Sequence, residues 1–143
     1  MPIPRALTLL AVAAATAAPA AAAQPFDGYY AGKLICDPVP AKSIGPLNIA
    51  FSVTLTGGNA TYRRAIYSPD GKMHMTDETG EGKASGEGAV TLTGRAEFMN
   101  WHYEATYEGR IAGKTLELAG KQHWEFADGT SFDRPCKATV NRE

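Results

Sequence analysis

The sequence predicts an all-β protein: an antiparallel up-and-down barrel of about eight strands closed by one disulfide, with a two-sheet sandwich as the alternative. Three observations lead there. After residue 24 the chain reads as short alternating segments cut by Gly, Pro, Asn and Asp, with no helical period of useful length. Its two cysteines, Cys36 and Cys136, fall in the first and last of these segments. Several glycines land on inward-facing positions, where sharp strand coiling at barrel corners gives them a reason.

The first segment, Gly28 to Cys36, leads into a Pro-rich loop, Asp37 to Pro46. Leu47 to Thr56 alternates cleanly, with Leu47, Ile49, Phe51, Val53 and Leu55 on one face. Gly57-Gly58 is a two-residue hairpin turn, because both glycines accept a positive φ. Asn59 to Tyr67 returns, and Ser68-Pro69-Asp70-Gly71 turns the chain by composition. Lys72 to Ala84 is Gly-rich and acidic, and reads as a frayed strand or an ordered loop. After a turn at Ser85-Gly86-Glu87-Gly88 come three strong strands, Ala89 to Phe98, Trp101 to Ile111 and Thr115 to Phe126. Ala127-Asp128-Gly129-Thr130 turns again, and Phe132 to Val140 is the last strand.

A meander leaves two free edges unless its ends meet. A Cys36–Cys136 bond requires Cα atoms within about 7 Å, so the first and last strands are neighbours or nearly so. Register gives a further test. A turn at Met99-Asn100 sets Phe98 against Trp101, Leu92 against Tyr107 and Arg95 against Glu104. A turn at Ala112-Gly113 sets Tyr107 against Leu118, Trp101 against Trp124 and Glu104 against Lys121. That second register also opposes Glu108 to Glu117 and Ile111 to Lys114, which are poor pairs. It places Gly94, Gly109 and Gly120 on the inward face, and alternation places Gly32 there too.

Residues 1–23 form a secretory signal pattern. Arg5 supplies the positive start, Ala6 to Ala18 the apolar run, and Ala21-Ala22-Ala23 an A-x-A exit ending at Ala23. The run is too short and Ala-rich for a membrane anchor. The expected mature chain, residues 24–143, is one domain of about 120 residues with no further stretch able to span a membrane. The 14 Lys and Arg residues include Arg5, so 13 face 15 Asp and Glu in that chain, a net charge of −2. No basic stripe exists, which argues against a nucleic-acid partner. In the oxidising compartment that export implies, a lone cysteine pair is most simply one disulfide. The expected address is the periplasm or the exterior.

Gly28-Tyr29-Tyr30 opens the first strand and Arg134 lies on the last. This arrangement resembles the calycins (lipocalins, avidins and fatty-acid-binding proteins), which open with Gly-x-Trp and pack a basic residue of the last strand across that ring. Tyr30 stands in the Trp place, with Arg134 as the basic partner. The resemblance implies a ligand-holding barrel, not a particular ligand. Phe-Asp-Gly-Tyr-Tyr early and Arg-Pro-Cys late are also similar to small exported bacterial proteins of unknown function.

Alternation points Arg64 inward beside Phe51, and Arg134 inward beside Cys136. No Asp or Glu in the clearly defined strands shares that face. A buried guanidinium needs an acceptor: an anionic ligand held by a bidentate fork, or else water, backbone carbonyls or the Tyr30 ring at a barrel end. Tyr62, Tyr103, Tyr107, Trp101, Trp124 and Gln122 line the same interior, as a pocket with polar handles or as a filled core. Outside, the same register aligns Glu97, His102 and His123 across three strands, a donor set for zinc, copper or iron if it is more than a solvated row. Met73-His74-Met75 is a soft cluster suited to copper(I). Asn59-Ala60-Thr61 is a glycosylation sequon only in a eukaryotic secretory route.

No G-x-S-x-G, H-E-x-x-H, Walker or Rossmann pattern is present. The carboxylates near Asp77, Glu78 and Glu81 fall in the Gly-rich stretch and carry no preorganised site. No cofactor is called for. The sequence leads to a non-catalytic binding protein holding a small amphipathic or anionic ligand. The alternative is a protein-binding module such as a hydrolase inhibitor, contacting its partner through Asp37–Pro46 and Lys72–Gly88. Oligomeric state is not legible.

Overall fold

The computed structural model describes residues 15–17, 24–68 and 70–143. The expected signal segment and its cleavage point therefore lie outside the described residues, apart from 15–17. Alternating burial shapes everything that follows. In Leu47–Thr56, Phe51, Val53 and Leu55 are buried, while Thr54 and Thr56 face water. The strands are β1 (Gly28–Cys36), β2 (Leu47–Thr56), β3 (Asn59–Tyr67), β4 (His74–Ala84), β5 (Ala89–Phe98), β6 (Trp101–Ala112), β7 (Thr115–Phe126) and β8 (Ser131–Arg142). A short 3₁₀ helix, Pro40–Lys42, lies in the β1–β2 loop. No described helix is long and apolar enough to cross a membrane.

Each strand pairs antiparallel with the next, and β8 returns to β1, so the sheet is a closed barrel and not a sandwich. Cys36 faces Cys136 directly across the closing pair, and the two are disulfide-bonded. The bond joins strands whose sequence separation is 100 residues, which ties the first strand to the last.

Two sequence expectations need correction. The Lys72–Ala84 stretch holds a full strand, β4, paired with β3 from Asn59↔Lys83 onward. Its alternation is hidden because inward positions carry Gly80, Gly82 and a buried Glu78 in place of large apolar residues. The β6–β7 turn is Gly113-Lys114, not Ala112-Gly113, so the register moves by two. Gly113 takes φ 63 at the first turn position, a conformation Ala112 disfavours. The new register removes both poor pairs: Glu117 meets Arg110, and Ile111 meets Leu116. The Met99-Asn100 register stands, with Phe98↔Trp101 and Arg95↔Glu104.

The inward glycines divide into two kinds. At Gly32, Gly82, Gly109 and Gly120 a Cβ would overlap a backbone carbonyl of the adjacent strand, so the chains approach too closely for any side chain. At Gly80 and Gly94 the space is taken by the Tyr62 ring and hydroxyl, with Glu78 Oε1 also against Gly94. Glycine there leaves room for a polar cluster in the core.

Aromatic side chains fill the barrel's middle. Phe51 lies 5.0 Å from Tyr62 and 6.3 Å from Tyr107, ring centre to ring centre. The end bearing the chain's N-terminal turn is plugged: the Tyr30 hydroxyl donates to Phe26 O at 2.8 Å, and Asp27 accepts the Gly57 amide at 2.9 Å. The opposite end carries the disulfide, the Asp37–Pro46 loop and the β5–β6 and β7–β8 turns. One seam is partly open. β2 and β3 pair only at Thr54↔Thr61, Leu55↔Ala60 and Thr56↔Asn59.

Candidate ligand site

Arg64 and Glu78 face each other across β3 and β4. The Arg64 Nε and Glu78 Oε2 form an ion pair, with side chains 9% and 0% exposed. Glu78 Oε1 accepts from the Tyr62 hydroxyl and, at 3.2 Å, from Tyr103. Arg64 Nη2 donates to the Tyr103 hydroxyl at 3.4 Å, and its guanidinium lies 5.8 Å from that ring's centre. Burial, reinforced by the Glu78 charge, drives both Tyr62 and Tyr103 far above the usual phenol range. They are donors at any physiological pH. Burial is the largest single influence on Arg64 and opposes its charge, but Glu78, Tyr103 and Tyr107 together outweigh it and raise the guanidinium's pKa. The expectation that no carboxylate shares the interior is thus overturned. Glu78 supplies it, from the segment whose strand pattern the glycines hide.

Arg134 is placed differently. It is 7% exposed, and its partners among the described residues are neutral: Gln122 Oε1 at 2.9 Å and Gly45 O at 3.4 Å. Burial pulls its pKa down, and nearby Arg64 adds to the fall. Gln122 is fully buried and donates on to the Tyr107 hydroxyl at 3.4 Å. Two positions from Gln122 on the same inward face, Trp124 has a buried Nε1 with no acceptor among the described residues. This end of the interior therefore holds a cation without an anion and a donor without an acceptor.

Around that pair stands an aromatic cluster. Trp124 packs 4.8 Å from Trp101, 4.6 Å from Tyr103 and 5.9 Å from Phe132, with Phe98 next to Trp101 at 6.0 Å. A cleft of about 440 Å³ opens at the rim beside Phe98, Trp101 and Phe126, flanked outside by Glu97 and His102.

Of the interior residues marked by sequence, the structure gathers Tyr62, Arg64, Tyr103 and Tyr107 around Glu78, and Trp101, Gln122, Trp124 and Arg134 at the rim. Tyr30 stands apart at the plugged end. The basic residue there is Arg142, paired with Tyr30 and set against Gly28, so Arg134 is not the partner that the calycin resemblance assigned to Tyr30. The outer row also changes with the β6–β7 register. Glu97 faces His102, but His102 faces Glu125 and His123 faces Glu104. His102 Nε2 meets Glu125 at 2.6 Å, and His123 meets Glu125 at 3.0 Å and also Asp133. The described residues hold no group of three or more His, Cys, Asp or Glu arranged for a metal ion. In the Met73–Met75 segment, His74 pairs with Asp77 at 2.8 Å and Met73 is exposed.

The chain matches no protein-family model, and none of the curated proteins or solved structures compared with it is a match.

Proposed function

We propose that this is an exported, non-catalytic binding protein. It takes a small amphipathic anion, a carboxylate on an apolar body, at the rim of the barrel. The observation carrying this reading is Arg134: a nearly buried guanidinium whose described partners are neutral. A carboxylate is the complement that such a group lacks, and the unpaired Trp124 Nε1 offers a second donor. Phe98, Trp101 and Phe126 offer the apolar body a surface. Trp101 lines the cleft and packs 4.8 Å from Trp124. The tyrosine-caged Arg64–Glu78 pair is internally neutral and serves the fold. Export is supported by the signal-like start and by the disulfide.

The test is a titration with dodecanoate followed by tryptophan fluorescence. Arg134→Gln is expected to weaken binding by about tenfold or more while the melting temperature changes little. Equal binding by both proteins sinks the reading.

A further inference from the structure

Arg64 and Arg134 both enter the barrel interior, and each faces a side chain of the same shape on the neighbouring strand. Arg64 lies opposite Glu78 in the β3–β4 pair, and Arg134 lies opposite Gln122 in the β7–β8 pair. Glutamate and glutamine differ only in a carboxylate oxygen set against an amide nitrogen. Glu78 and Gln122 are both fully buried, and each touches its arginine. In the β3–β4 pair the carboxylate neutralises the guanidinium. In the β7–β8 pair the amide oxygen accepts from Arg134 Nε at 2.9 Å and leaves the positive charge standing. The same barrel thus houses a buried carboxylate against one arginine and withholds it from the other.

Gln122 is itself held in place. Its Nε2 donates to the Tyr107 hydroxyl at 3.4 Å, and the Tyr107 ring packs 6.3 Å from Phe51 and 6.4 Å from Tyr62, centre to centre. The aromatic middle of the barrel therefore fixes the amide, with its oxygen toward Arg134. Arg134 is oriented through Nε, and its Nη1 reaches only the Gly45 carbonyl, at 3.4 Å. A carboxylate is a stronger acceptor for those Nη groups than a neutral carbonyl. We infer, on the binding reading proposed above, that Gln122 is the positioning residue that makes the rim site select anions: it orients Arg134 without neutralising it, so that the carboxylate pairing with Arg134 comes from the ligand. Gln122→Glu supplies that charge from within the protein, as Glu78 does for Arg64. A ligand carboxylate then meets a neutral pair, and its advantage over an uncharged head group disappears.

The test compares dodecanoate with dodecanol, an uncharged ligand of the same chain length, by tryptophan fluorescence of the oxidised protein at neutral pH. The native protein should bind dodecanoate about tenfold or more tightly than dodecanol. Gln122→Glu should bring the two ligands within about threefold of each other, through loss of dodecanoate with dodecanol retained. Gln122→Met is similar in length and uncharged. It leaves the Arg134 charge unpaired and should keep the preference for dodecanoate. A preference retained in Gln122→Glu overturns the inference. So does a preference lost in Gln122→Met, which would place the selectivity in the amide's hydrogen bond and not in the withheld charge. Loss of both ligands from Gln122→Glu would make Gln122 a packing residue and overturns it too. A native protein that binds neither ligand, or both equally, contradicts the binding reading itself, and the role of Gln122 falls with it.

Discussion

Glu78 faces Arg64 across the β3–β4 pair, and its carboxylate is fully buried beneath the Tyr62 and Tyr103 hydroxyls. Removing one member of such a pair leaves the other charged and unpartnered in the core. Glu78→Gln should therefore destabilise the protein by about 3–5 kcal/mol, measured by urea denaturation. Replacing both members, as Arg64→Met with Glu78→Leu, should recover most of that loss. If the single variant costs nothing, the pair does not organise the core.

The cluster also explains Gly80 and Gly94, where the Tyr62 ring and hydroxyl fill the space of a Cβ. Gly94→Ala puts a methyl group into the Tyr62 hydroxyl and Glu78 Oε1. It should cost about 1–3 kcal/mol, as overpacking does. Gly86→Ala is the control, since nothing lies within 4 Å of its added Cβ and its φ is not in the left-handed region. That change should be neutral or stabilise by up to about 1 kcal/mol. Thermal melts of the two variants side by side give the comparison.

On the outer face, His123 with Glu125 and Asp133 sets a pH dependence. Hydrogen bonds donated by the His123 ring to Asp133 and then Glu125 raise its pKa above the ordinary 6.5. The stability it contributes is complete below about pH 6.5 and is lost as pH rises through the folded-state value. Contact with His123 lowers Glu125 and Asp133 below 4.5 and 3.8, so their contribution holds above those values and is lost as pH falls through the lowered ones. The three groups thus favour the folded state most between about pH 4.5 and 6.5. These groups are exposed, so the effect is small. Melting temperatures of the native protein and His123→Gln should converge as pH rises from 6 to 9. A constant difference across that range would contradict the assignment.

Reduction of Cys36–Cys136 should cost about 2–5 kcal/mol, because the bond joins β1 to β8 across a separation of 100 residues. A denaturant midpoint unchanged by reductant would mean that the β1–β8 pairing closes the barrel unaided.

The barrel was legible in the sequence because its strands alternate and its cysteines sit at the two ends. Seven strands follow from clean patterns such as Leu47 to Thr56. β4 did not, since Gly80, Gly82 and Glu78 occupy positions where alternation calls for large apolar side chains. With β4 went Glu78, the partner that Arg64 needed. A signal was available: an inward arginine without a carboxylate implies one on an unassigned strand, and Glu78 lay in the only uncertain segment. The β6–β7 register failed on a choice between two turns sharing Gly113. The poor pairs Glu108–Glu117 and Ile111–Lys114 already pointed to the other. The external row failed with it, and Arg134 was legible as inward but not as separate from Tyr30.

The measurement that tests the central claim most directly is native mass spectrometry of the oxidised protein purified from a bacterial periplasm and then incubated with dodecanoate. The binding reading predicts an added mass that is lost on denaturation and is strongly diminished in Arg134→Gln. A bare mass before and after incubation, in both proteins, would contradict it.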